Sequence, residues 1–264
     1  IKMKTINNLY IRFLVYFLVW NIYLSFMSSY APLGVDWLDW HGQRLFNFSE
    51  YLNLNGYFLN YGFSIMSTCE GCLLDAELWK NKIYYTITFI SHLPAVLLND
   101  FYGEFFFKNY GHFIDKIIIF FTGVILVETL ILFSKKYNKF DYYNLRSIII
   151  FIFFIINPWT YKMILAYWHI IYFILFFLIG HLMLLKEKNN LAYLFFFIAS
   201  CFDYQSAAGV CLLYVIILIY HQNVRKIPIT EYFSINSNKK FIEYKIIISF
   251  LIPILFFFIL RFLA

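Results

Sequence analysis

Residues Ile83 to Leu98 read IYYTITFISHLPAVLL, a stretch apolar enough to pass for a membrane crossing. Its reading decides the fold, because one crossing more or fewer inverts the side on which every later segment lies. The stretch falls short of the roughly 17 to 25 helical residues that a hydrocarbon core demands, and it contains His92 and Pro94. Charge placement supplies an independent test, since cytoplasmic segments collect Lys and Arg. If Ile83 to Leu98 does not cross, and Lys2 and Lys4 lie inside, the basic groups Lys135, Lys136, Lys139 and Arg146, then Lys186 and Lys188, then Arg225, Lys226, Lys239 and Lys240 all fall on the cytoplasmic side. If it does cross, all of the later groups move outside. The stretch is therefore predicted to be one or two helices lying on or dipping into the outer interface.

The surrounding composition agrees with a membrane setting. Of 264 residues, 62% are hydrophobic and only 14% charged, against about one quarter charged in soluble domains. Aromatic residues make up 24% of the chain, so any single aromatic carries little information. The net charge of +6 reads as cytoplasmic Lys and Arg excess and not as a nucleic-acid footprint.

Apolar runs occupy about 9 to 28, 117 to 134, 147 to 157, 163 to 185, 191 to 221 and 244 to 264. The first follows IKMKTINN and reads as a retained signal-anchor. The third is short and ends at Asn157-Pro158-Trp159, which predicts a tilted or part-way segment. The fifth is too long for one crossing, and Asp203, Gln205 and Gly209 interrupt it at FDYQSAAG. A helical hairpin turning there gives about seven crossings in all. The expectation is an all-α polytopic transmembrane bundle forming a single membrane domain over 1–264: a first span at 1–28, a long external loop at 29–116 with interface-parallel helices, and the remaining spans at 117–264. Its N-terminus is cytoplasmic, and the membrane is the plasma or inner membrane, or the endoplasmic reticulum in a eukaryote. The end inside an apolar run is also what a fragment of a longer chain would show.

Ten of the fifteen carboxylates fall outside in this layout, most of them in the long loop. That loop opens with GVDWLDWHGQR, Gly34 to Arg44. A helical start would put Asp36 and Asp39 on one face. A partly desolvated carboxylate there suits a general base for a hydroxyl, and Arg44 suits a phosphate. His41 and, further on, Glu50 extend the polar face. The same residues also read as a solvated juxtamembrane loop, with Trp37 and Trp40 as interfacial anchors. Asn47-Phe48-Ser49 matches a glycosylation sequon that matters only in a secretory compartment. Cys69 and Cys72, in CEGC, lack partners for a zinc site and read best as an external disulfide. Glu128, His169 and His181 are intramembrane ionisable residues. Glu128 lies near the Lys135-Lys136 edge and His181 near Lys186, and structural packing is the leading reading for each. Lys162, with Asp203 and Gln205, could complete an outer site, or the last two could cap the turn.

First span, VDWLD, a loop holding Ile83 to Leu98, then further spans: this order resembles the C-type superfamily of integral-membrane glycosyltransferases. The resemblance implies a lipid-phosphate-linked sugar as donor, and a glycan, lipid or protein acceptor. It implies that Asp36 or Asp39 is the catalytic base, the two residues that map onto the family's motif; the residues themselves add Arg44, with Lys162 or His169, as holders of the carrier phosphate, and His41 and Glu50 as further substrate-site candidates. Family members with paired acids can bind a metal there, so a divalent cation is the one cofactor left open. Membrane lipids are the surroundings and nucleic acid is not a partner. The alternatives from other classes are a transporter or flippase of a lipid-linked saccharide, and a polysaccharide polymerase or ligase.

Overall fold

A computed structural model describes residues 9–30, 63–65, 83–137, 145–160, 170–225 and 238–263. Among them the chain is helical apart from one short ladder. The helices are α1 (Leu9–Tyr30), α2 (Phe89–Tyr137), α3 (Leu145–Ile155), α4 (Ile170–Leu185), α5 (Asn189–Phe202), α6 (Tyr204–Arg225) and α7 (Asn238–Leu263). The strands β1 (Phe63–Ile65) and β2 (Ile83–Thr88) pair antiparallel, Ser64 opposite Tyr84 and Ile65 opposite Ile83, with an irregularity after Phe63.

The ladder corrects the reading of the decisive stretch. Its first half, IYYTIT, is strand, and only the part from Phe89 onward is helical. The physical reason is local: alternating Ile, Tyr and Thr favour extended backbone through their β-branched and aromatic side chains. The helix that follows runs on into the predicted second span. It is two arms joined at Gly103, whose φ of 78° and ψ of 170° are non-helical. A residue with a Cβ rarely adopts that conformation.

Two segments are long and apolar enough to cross a bilayer, Tyr10–Met27 with 18 residues and Phe113–Ser134 with 22. At 1.5 Å per residue they reach about 27 and about 33 Å, against a hydrocarbon core of about 30 Å. The other predicted runs carry shorter apolar helices. The third is the shortest, ending at Ile155, and the chain restarts as helix at residues 158–160. Asn157 organises the restart: its side-chain oxygen accepts from Trp159 N at 2.9 Å. That is an N-cap, followed by a proline whose missing N–H would have had no partner in the first turn.

Two apolar cores hold the bundle. The first joins α1, the second arm of α2, α3 and the start of α4 around Tyr16, Phe120, Val127 and Phe151. The second joins α4 to α7 around Phe173, Phe196, Ala207 and Phe250. Ile174 and Phe202 pack against both. Ring contacts knit each core, such as Tyr16 on Phe151 at 5.0 Å, Tyr172 on Phe202 at 5.3 Å and Phe196 on Phe250 at 5.2 Å. Outside the cores the helices present apolar side chains where a soluble helix would turn polar ones outward. Leu14, Leu18 and Ile22 of α1, Leu212 and Ile216 of α6, and Leu255 and Phe258 of α7 are all exposed. Such an exterior matches a hydrocarbon solvent better than water.

Candidate functional site

Contacts between helices fix which ends meet. Arg12, near the start of α1, reaches Glu128, near the end of α2. Tyr172, at the start of α4, reaches Asp115, where the apolar segment of α2 begins. Tyr172 also stacks on Phe202, the last residue of α5, and Tyr204, the first of α6, lies against Phe257 near the end of α7. One end of the bundle therefore gathers Asp115, Tyr172 and Asp203. The opposite end carries the turn between α4 and α5, with Lys186 and Lys188, and Lys245, whose ammonium sits 5.6 Å from the Tyr193 ring.

The carboxylate end holds the most unusual polar group in the described residues. Asp115 and Lys116 are 3% and 2% exposed. Asp115 Oδ1 accepts from the Tyr172 hydroxyl at 3.0 Å. Its Oδ2 has no hydrogen-bond partner, and neither has Lys116 Nζ, which lies over the Phe113 ring at 4.6 Å. The sequence places Asp115 among the acids of the external segment 29–116 and does not single out Lys116. The missed signal is spacing: Asp115, Ile119, Gly123, Val127 and Ile131 follow one another at intervals of four and are all buried, so Asp115 lies on the inward face of α2.

Asp203 has a different task. It ends α5 and starts α6, as the break at FDYQSAAG predicted, and its Oδ1 accepts from Gln205 N and Ser206 N, both at 3.1 Å. Its Oδ2 accepts from Ser206 Oγ at 2.6 Å. Of the two readings weighed for Asp203, the turn cap is the one these bonds describe. Replacing Asp203 with Ala is expected to lower stability by about 1 kcal/mol, and by up to about 2. Asn keeps an acceptor and should cost less. Thermal unfolding in detergent micelles measures both.

Of the ionisable residues predicted to lie within the membrane, Glu128 and His181 are partnered within the bundle. Glu128 pairs with Arg12 across 116 positions of sequence. His181 contacts the Phe177 carbonyl through Nδ1 at 2.9 Å and the Tyr214 hydroxyl through Nε2 at 2.7 Å. A carbonyl only accepts, so Nδ1 carries a proton, and in the neutral ring Nε2 accepts from Tyr214. His181 thereby ties α4 to α6.

Asp36, Asp39, His41, Arg44, Glu50, Lys162 and His169 lie outside the described residues, as do Cys69 and Cys72. Among the described residues no group of three or more His, Cys, Asp or Glu side chains is placed to hold a metal ion. No family model matches the chain, and no curated protein or solved structure shows significant similarity to it. Fold and polar groups together define a helical bundle with apolar, membrane-compatible helices and a buried Asp-Lys-Tyr group at its carboxylate end.

Proposed function

We propose that the chain is a multi-pass membrane glycosyltransferase of about seven crossings, taking a sugar from a lipid-phosphate carrier at the extracytoplasmic face. The observation that carries the reading is the polarity of the bundle. Lys186, Lys188 and Lys245, with Glu187 among them, gather at one end, while Asp115, Tyr172 and Asp203, with Lys116, occupy the other, the end at which the acid-rich segment 29–116 joins the second long apolar helix. Cytoplasmic ends collect Lys and Arg, so this division favours an extracytoplasmic position for the carboxylate end and for the acids of segment 29–116.

In this reading Asp36 or Asp39 takes the proton of an acceptor hydroxyl. The freed oxygen attacks the anomeric carbon, the new glycosidic C–O bond forms, and the bond to the carrier phosphate breaks with inversion. The phosphate leaves with the electron pair, held by Arg44, Lys162 and His169. Asp36→Asn and Asp39→Asn are the test, assayed as transfer of labelled sugar from lipid donors in membranes. Loss of transfer in at least one variant is the expected result. Unchanged transfer in both, at equal expression, removes the mechanism.

A further inference from the structure

The buried pair at the carboxylate end is poorly explained by packing alone. Lys116 Nζ and Asp115 Oδ2 are removed from water and form no hydrogen bond. A buried charge left without a partner is strongly destabilising, and a cation over a ring recovers only part of that loss. Each side chain feels the charge of the other, but no ion pair within 4.0 Å joins them. The complementary ligand must donate to a carboxylate oxygen and accept from an ammonium at two separated points. An anion alone would suit Lys116 and be repelled by Asp115, and a cation alone would do the reverse. A neutral ring bearing several hydroxyls meets both, because each hydroxyl is at once donor and acceptor.

We infer that Asp115, Lys116 and Tyr172 form a binding station for the saccharide of a lipid-linked sugar, Asp115 accepting from one hydroxyl and Lys116 donating to another. Tyr172 is the positioning residue: its hydroxyl occupies Oδ1 at 3.0 Å and directs Oδ2 to the ligand. The inference rests on the transferase reading only for the lipid carrier, and the two can fail separately.

The test titrates farnesyl phosphomannose, farnesyl phosphoglucose and farnesyl phosphate into the whole chain in lipid nanodiscs by calorimetry. At least one sugar-bearing lipid should bind the wild type more tightly than farnesyl phosphate. Asp115→Asn and Lys116→Met should each weaken that binding by about tenfold or more, with farnesyl phosphate unaffected. Tyr172→Phe, which keeps the ring on Phe202, should weaken it less. Without ligand, the double variant Asp115→Asn with Lys116→Met should melt at or above the wild-type midpoint, because both buried charges have been removed together. No preference for the sugar-bearing lipids in the wild type overturns the inference, as do variants that bind like wild type. Weakened binding of farnesyl phosphate by Lys116→Met would reassign the site to phosphate, and a lowered midpoint of the double variant with intact binding would make the pair structural. Sugar-dependent binding without any sugar transfer by wild-type membranes would sink the transferase and leave the station standing.

Discussion

Arg12→Leu is expected to lower stability by about 3 to 5 kcal/mol, the cost of leaving one member of a buried pair without its partner. Two parallel contacts join the side chains, Nε to Oε1 at 3.1 Å and Nη2 to Oε2 at 2.8 Å, and the two are 10% and 16% exposed. The loss does not measure the strength of the pair; most of it is the Glu128 carboxylate left without its countercharge near Tyr16 of the first core. Removing both charges, as Arg12→Leu with Glu128→Leu, should therefore recover stability to within about 1 kcal/mol of wild type, as buried pairs often allow. Arg12→Lys keeps the charge but loses the planar fork, so it should fall between. Thermal unfolding of the four proteins in one detergent gives the complete cycle. A single variant that melts like wild type would show that this contact does not hold α1 against α2.

The apolar runs and the break at FDYQSAAG were legible because they depend on neighbours in sequence. Run length follows from side-chain transfer, and the turn follows from an aspartate followed two and three positions on by free amide groups. The strand at Ile83–Thr88 was less legible, since a short apolar run looks alike for helix and strand until something pairs with it, and its partner is the distant Phe63–Ile65. The Arg12–Glu128 pair was hidden for the same reason. Glu128 has nearby lysines that made a local partner plausible, and only the packing of α1 against α2 brings an arginine from 116 positions away.

Burial of Asp115 and Lys116 stood between these cases. Position relative to the charge map put Asp115 in the external loop, whereas the four-residue spacing with Ile119 and Gly123 put it on a buried helix face. The helix did not stop where the hydrophobic run stopped, because a helix continues wherever its backbone bonds can form and its inward face can be covered. Hydropathy therefore marked the span from 117, while α2 extends back through its second arm to Gly103. The aromatic richness set aside in the sequence turned out to supply much of both cores, as the ring contacts of Phe120, Phe151, Phe196 and Phe250 show. Between apolar helices in lipid, close packing replaces the hydrophobic effect as the force of association.

That packing makes Gly180 the position where the smallest change should matter most. A Cβ added there would meet the Phe196 ring at 2.6 Å. The ring cannot swing away easily: it is fully buried and touches Phe250 at 5.2 Å, His181 at 5.1 Å and Phe177 at 5.9 Å between centroids. Alanine should gain up to about 1 kcal/mol in helix propensity over glycine, but forcing α4 and α5 apart costs about 1 to 3 kcal/mol in a filled core. Gly180→Ala should thus melt lower than wild type, and the larger Gly180→Val lower still. Gly209 provides the control, since it is exposed in α6 and a Cβ there meets nothing within 4 Å. Gly209→Ala should raise stability by up to about 1 kcal/mol, so one substitution is expected to have opposite signs at two helical glycines. Phe196→Leu should partly rescue Gly180→Ala while destabilising the wild type, and this coupling is the readout that ties the effect to one contact. Additive effects in that cycle would mean that Gly180 and Phe196 do not meet.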